Sequence, residues 1–130
     1  MATIFTRIIN GEIPCHKVAE DERFIAFLDI RPLSKGHTLV IPKQETDYIF
    51  DLEPALLGDL MQFAQKVAGA LKQSIECKRI GVVVIGLEVP HAHIHLIPIN
   101  CEDDMNFSRP RLALSAEEFS ALVNKISSNL

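Results

Sequence analysis

Positive charge is not in excess in this 130-residue chain: 13 lysines and arginines stand against 17 aspartates and glutamates, a formal charge of -4. That balance argues against phosphate-backbone binding to long nucleic acids as the main activity, so any phosphate recognition is expected to be local, through backbone amides and histidine. Cysteine is also scarce. Cys15, Cys77 and Cys101 are odd in number and far apart, which excludes a disulfide framework, fits a reducing compartment and reads as three inert, partly buried thiols. The opening MATIFTRIINGEIP lacks a cationic segment followed by a long apolar stretch, so no secretory signal is expected. The longest mostly apolar run, Ile80 to Leu87, is too short to cross a bilayer. The expectation is a soluble cytoplasmic protein with no membrane partner. Internal repeats, low-complexity segments and linkers are absent, and 48% hydrophobic content suits one core, residues 1–130 forming a single domain.

What is present alternates between strand and helix patterns. Ile4, Phe5, Ile8, Ile9 and Ile13 recur at helical spacing around Asn10-Gly11, predicting a short helix that ends at the glycine. Lys17 to Ala19 and Phe24 to Leu28, separated by Glu20-Asp21-Glu22, predict a hairpin. A β-rich run from His37 to Pro42 places His37, Leu39 and Ile41 on one face. Pro54 suits the first turn of a long helix whose buried stripe is Leu52, Leu56, Leu60, Phe63, Val67 and Leu71. Two further strands are expected at Ile80 to Gly86 and Val89 to Ile99, joined by a short connection around Gly86-Leu87-Glu88. Ser115-Ala-Glu-Glu118 is a capping box ahead of Phe119, Leu122, Val123 and Ile126, so a terminal amphipathic helix follows.

Five histidines occur in the chain, and three of them, His91, His93 and His95, fall at alternate positions. On an extended strand these attachment points lie about 6.7 Å apart on one face, with Ala92, Ile94 and Leu96 on the other. A metal site is one chemical reading, since a His-x-His pair plus a distant ligand can hold zinc. His37, Asp29, Glu88 and Cys101 are candidate partners, but no Cys-x-x-Cys pair or His-Glu-x-x-His helix accompanies the strand. Nucleophilic catalysis is the other reading: imidazole titrates near neutrality, so neighbouring rings can serve as nucleophile, acid and phosphate ligand. Ordinary core or surface packing explains one histidine more readily than three in alternation.

The run HAHIHLIPI, together with TIFTRIINGEIP, FLDIRPLSKGHTLVIPK and GLEVPHAHIHLIP, resembles the histidine-triad (HIT) family, specifically its Hint-type branch, across nearly the whole chain. The resemblance implies an α+β fold with a five-stranded antiparallel sheet, one long helix and a C-terminal helix, a homodimer, and metal-independent cleavage of purine nucleoside phosphoramidates or related conjugates, with no cofactor. It makes His93 the nucleophile on the α-phosphorus, His91 the residue orienting that ring, and His95 and His37 the contacts to phosphate oxygens or protons. Asp29 matches the position that accepts the ribose hydroxyls. Ile4, Phe5, Ile8, Phe27, Leu28, Ile30 and Leu39 match positions lining the base pocket, an apolar surface that stacks a purine with little discrimination.

The chain also departs from the pattern. Thr3 and Thr6 stand where many bacterial relatives carry two cysteines of a structural zinc site. The stretch between Gly81 and His91 is several residues shorter than usual, and Ile80 to Ile85 offers no side-chain donor for phosphate. Gly86, Leu87 and Glu88 match the segment before the triad, with Glu88 replacing a hydroxyl residue, and Ile99 stands where arginine is common. Two alternatives accompany the main reading: a dinucleoside polyphosphate hydrolase or nucleotidyl transferase, and a nucleotide-binding scaffold with little turnover.

Overall fold

The computed structural model describes residues 2–130. In chain order it has α1 (Ile4–Ile9), β1 (Lys17–Glu20), β2 (Phe24–Leu28), β3 (Thr38–Pro42), α2 (Pro54–Ser74), β4 (Arg79–Val83), β5 (Ile94–Ile99) and α3 (Ala116–Ser127), with short 3-10 turns at Ile49–Asp51 and Glu102–Met105. The strands form one five-stranded sheet in the order β1-β2-β3-β5-β4, and every neighbouring pair is antiparallel. The α+β architecture expected from the sequence is the one observed.

Strand periodicity divides the side chains between two faces. Phe24, Ala26 and Leu28 of β2, Val40 of β3 and Ile94 and Leu96 of β5 meet Leu60, Ala64, Val67 and Leu71 of α2 and Phe119 and Ile126 of α3 in one apolar cluster. Each fully buried aliphatic side chain there contributes about 2 kcal/mol by leaving water. The α2 stripe is the expected one with a small rotation: Leu60, Val67 and Leu71 are buried together with Ala64, Ala70 and Ser74, while Leu56 and Phe63 pack at its margin. Pro54 occupies the first turn of α2, where its missing N–H costs nothing. In α3 the capping box forms as expected, with Ser115 accepting from the Glu118 amide and Glu118 reaching back to the Ser115 amide.

The opposite face carries Ile25 and Phe27 of β2 and Leu39 and Ile41 of β3, covered by Phe5 of α1. Register makes this face one platform: Phe27 pairs with Leu39, and Leu39 pairs with His95. The triad's neighbours Ala92, Ile94 and Leu96 lie on the helix-covered side as expected.

Three expectations are corrected. The last strand begins at Ile94 rather than Val89, and its partner ends at Val83 rather than Gly86. Residues 84–93 therefore form a longer irregular connection. Its cause is local: Gly86 has φ 74°, the His91 amide turns back onto the Val89 carbonyl, and the Ala92 amide bonds the Thr46 carbonyl instead of a strand partner. Leu28, expected in the base pocket, points its side chain into the helix-covered core, because it follows Phe27 in the same strand and consecutive residues face opposite ways. Cys101 is exposed rather than partly buried, while Cys15 and Cys77 are half-buried and all three are free thiols. Among the described residues no helix is long and apolar enough to cross a membrane.

Candidate active site

The site lies where the start of β5, the turn before β3 and α1 converge on the platform. Gly36 makes the turn possible: its φ is 91°, and an added Cβ would come within 3.1 Å of Ile75 and 3.2 Å of Pro98, so only glycine delivers His37 to its place at low cost. The four histidines expected in the site are all buried or nearly so, and the partner of each ring nitrogen assigns its tautomer.

His93 Nδ1 lies 2.7 Å from the His91 carbonyl. A carbonyl only accepts, so Nδ1 carries the proton and Nε2 presents a lone pair. No described residue bonds that Nε2, and no buried side-chain nitrogen or oxygen lacks a partner, so His93 Nε2 reaches the surface of the site. The ring is wedged edge-on against Phe5, centroids 5.0 Å apart, and against His95, also 5.0 Å away.

His37 and His95 form a directional chain. The Leu33 amide donates to His37 Nδ1 at 3.0 Å, which puts the His37 proton on Nε2. Nε2 then donates to His95 Nδ1 at 3.0 Å, leaving His95 Nε2–H as an outward donor. Such chains polarise cooperatively in a low-dielectric setting. Burial, reinforced by the charges of His95 and Arg111, pushes His37 down to about 3. Burial, with the charges of His93 and Arg111 adding to it, takes His95 to about 4. His93 is also lowered, chiefly by burial, against the opposing His91 carbonyl bond and the negative charges of Asp29 and Glu88. All three rings are thus neutral at neutral pH.

His91 is fully buried, and Phe5 stands edge-on to it with centroids 5.9 Å apart. Its Nε2 donates to the Pro42 carbonyl at 2.8 Å, so its Nδ1 accepts, and the Thr3 hydroxyl lies 3.1 Å from it. Thr6 donates to Glu45 at 2.6 Å, and the Thr3 amide donates to the same carboxylate oxygen at 3.0 Å. His91 is therefore clamped on both nitrogens, and its backbone carbonyl fixes the His93 ring.

Asp29 follows β2 at the rim. One carboxylate oxygen accepts from the Arg31 amide at 2.8 Å, and the other lies 3.6 Å from His37 Nε2 and 4.0 Å from Arg111 Nη1. The neutral state of His37 means that the shorter of these approaches is no ion pair. Burial raises the Asp29 carboxyl, opposed by the Arg31 amide and by the charges of Arg111, His93 and Arg31.

Asp29, His37 and His95 offer ligand atoms within 4.8 Å of one another, the geometry of a possible cation site. The donor set does not suit one. Ligation through His37 Nε2 would move its proton to Nδ1, directly against the Leu33 amide proton, and a metal-binding imidazole needs the opposite arrangement.

Of the residues expected to line a base pocket, Phe5, Phe27 and Leu39 are brought together, and Ile8 packs against them. Ile4 and Ile30 lie at the surface, 50% and 68% exposed. Gly86, Leu87 and Glu88 sit on the irregular connection, with Leu87 88% exposed. A separate shallow concavity of about 360 Å³, lined by Lys78, Arg79, Ile99 and Met105, lies towards the other end of β5.

Sequence reasoning missed Thr3 and Thr6 as neighbours of His91 Nδ1 and Glu45 as the acceptor for both threonines, although Thr-x-x-Thr before an apolar helix is an N-cap pattern and Thr3 does cap α1. It also missed Phe107, whose ring stands 5.0 Å from His95 and 6.2 Å from His37, and Arg111. No local signal marks either residue.

Comparison with known proteins agrees with the α+β fold that carries this site. A family model described as the HIT domain matches residues 10–101. The chain is 36% identical over its whole length to an adenosine 5'-monophosphoramidase of Schizosaccharomyces pombe, covering 99% of it. It is 37% identical to a HIT-like protein of Borreliella burgdorferi over 98% of this chain and 97% of that one. A crystal structure of a HIT-like protein from Bartonella henselae superposes with a TM-score of 0.85 at 32% identity, covering 98% of this chain and 96% of that one. A zinc-bound histidine-triad protein from Mycobacterium smegmatis gives 0.82 at 29% identity, covering 98% and 95%. With the family model spanning most of its length and a relative 36% identical along the whole of it, the chain belongs to the histidine-triad family.

Proposed function

We propose that the protein is a nucleotide hydrolase that cleaves purine nucleoside phosphoramidates or acyl nucleotides through a covalent intermediate on His93. The observation that carries this reading is the tautomer of His93, with Nδ1–H held by the His91 carbonyl at 2.7 Å and Nε2 free at the site surface. In the first step that Nε2 lone pair attacks the α-phosphorus, the bond from phosphorus to the leaving nitrogen or oxygen breaks, and the leaving group takes up a proton from solvent, leaving a nucleotidyl-imidazolium on His93. In the second step water attacks phosphorus and gives a proton back to solvent, the P–N bond to His93 breaks with its electron pair returning to Nε2, and nucleoside monophosphate is released. Dividing one displacement in two lets the same neutral ring start the reaction and leave it unchanged. His95 Nε2–H, backed by His37 and the Leu33 amide, donates to a phosphate oxygen as negative charge develops there. Asp29 accepts the ribose hydroxyls, and Phe5, Ile8, Phe27 and Leu39 provide apolar contact for the base.

Glu88 favours an amine leaving group over a polyphosphate. Its exposed carboxylate is the weakest of the influences that oppose the lowering of His93 by burial, and no lysine or arginine pairs with it among the described residues. An anionic leaving group is repelled there and a cationic one is attracted. Pairing with a second copy is part of the proposal: β4 is an edge strand, and Val82, Val84, Ile85 and Leu87 on and after it are exposed, an edge that soluble proteins ordinarily cover. Sedimentation at micromolar concentration should show a dimer.

The test is turnover of adenosine 5'-phosphoramidate beside a diadenosine polyphosphate. His93→Ala should lower kcat/KM by at least about a thousandfold, and wild-type protein quenched in alkali should carry an acid-labile nucleotidyl adduct on the peptide holding His93. Glu88→Gln should narrow the preference for the phosphoramidate severalfold. Retained activity in His93→Ala removes the nucleophile, and AMP binding without turnover of either substrate makes the protein a nucleotide-binding module.

A further inference from the structure

Beyond the last strand the chain returns to the site. Residues 106–112 run from the Glu102–Met105 turn across the His37–His95 pair as a strap, with Phe107 edge-on to both rings. The Arg111 guanidinium carbon stands 5.3 Å from the Phe107 ring centroid, an arrangement in which the ring face attracts the cation. Arg111 Nη1 donates to the Arg31 carbonyl at 2.6 Å, and the Leu112 amide donates to the Pro32 carbonyl at 2.8 Å. The strap is thereby fastened at two points to the turn that carries Asp29. From that anchorage Nη1 lies 4.0 Å from the Asp29 oxygen that the Arg31 amide leaves free.

We propose that Arg111 is a positioning residue for nucleoside recognition, holding the Asp29 carboxylate in place as the acceptor for the two ribose hydroxyls. The inference rests on the reading of Asp29 as the ribose acceptor. A carboxylate serves two hydroxyls only while ionised, since its protonated form is itself a donor, and at this rim burial favours the protonated form. The groups facing it are His37 from the turn before β3 and His95 of β5, both neutral, His93 from the connection before β5, Arg31 from its own turn and Arg111 from the strap. Arg31 is exposed, and its side-chain charge is correspondingly screened. Arg111 is the half-buried cation, with 25% of its side chain exposed, and is held rigid by the Arg31 carbonyl and the Phe107 ring.

Steady-state kinetics on adenosine 5'-phosphoramidate and its 2'-deoxy counterpart test this. Arg111→Gln should raise KM for the ribonucleotide about fivefold to tenfold with kcat within twofold, and should move the ratio of kcat/KM for ribo over deoxy substrate towards that of Asp29→Asn. The acid limb of the KM profile should move to higher pH in Arg111→Gln and stay in place in Arg111→Lys, a split that general loosening of the strap does not produce. Should the Gln variant fail to fold, Phe107→Leu, which removes the ring beneath the guanidinium, should lower the same ratio about twofold to threefold. An unchanged ratio and acid limb in Arg111→Gln, or an unchanged ratio in Phe107→Leu where that variant is needed, overturns the proposal. If Asp29→Asn itself leaves the ratio unchanged, the ribose assignment falls and this inference falls with it.

Discussion

The two faces of the sheet are built from the same strands and solve opposite problems. On one, Ala26, Leu28, Val40, Ile94 and Leu96 meet two helices in a continuous apolar layer. On the other, Phe27, Leu39 and His95 stand in one row across three strands, covered only by the six-residue α1 and by the strap after β5. The first face concentrates stability. The second keeps polar rings at the edge of a dry environment, where His93 and His95 are each satisfied on one nitrogen and open on the other. Period-two alternation lets a single strand contribute to both: Ile94 locks β5 to the helices and thereby sets the position of His95.

The largest expected effect is on the covered face. Leu60→Ala removes a side chain with no exposure and should cost about 2–5 kcal/mol, read as a lower midpoint in urea, with kcat of the folded fraction unchanged. A fall in kcat as large as the fall in stability would show that the faces are mechanically coupled.

Acid should act on the other face. The unfolded chain protonates its histidines near pH 6.5, whereas folded His95 and His37 stay neutral to about 4 and about 3. Folding stability that is complete above pH 6.5 is therefore lost as pH falls towards 4, by at most about 1.4 kcal/mol per pH unit for each ring. Asp29, raised by burial, works in the opposite sense lower in the window. Melting curves between pH 7 and 4.5 should show the decline, and His95→Asn should flatten it; a level Tm in the wild type contradicts the burial of neutral rings.

A smaller separation is expected from Thr3→Val, which takes the hydroxyl from His91 Nδ1 and the cap from the Thr6 amide. Stability should fall by about 1 kcal/mol, while kcat falls about tenfold through the misplaced His93 ring. Smallest is Ser115→Ala, which breaks the α3 cap at a cost of about 0.5–1 kcal/mol with no change in turnover.

Local periodicity accounts for what was legible in the sequence. The β1–β2 hairpin, α2 with Pro54 at its start, the α3 capping box and the two-sided character of β5 follow from residues close together in the chain. The histidine run marked the site, and one ring, Phe5, stands against both His91 and His93, but the division of roles was not legible: His93 keeps one nitrogen open, while Pro42 and Thr3 capture both of those of His91. Leu28 was open to correction by alternation alone, since it cannot share a face with Phe27. Partners far apart in sequence left no trace. The contact of Arg111 with Arg31 spans 80 positions and that of Thr3 with His91 spans 88, and neither changes any local pattern.

The Thr3 hydroxyl makes the residues just ahead of α1 part of what holds His91, and through its carbonyl the His93 ring. Proteolytic trimming before α1 would leave the fold's main apolar layer intact yet release His91 from one of its two restraints.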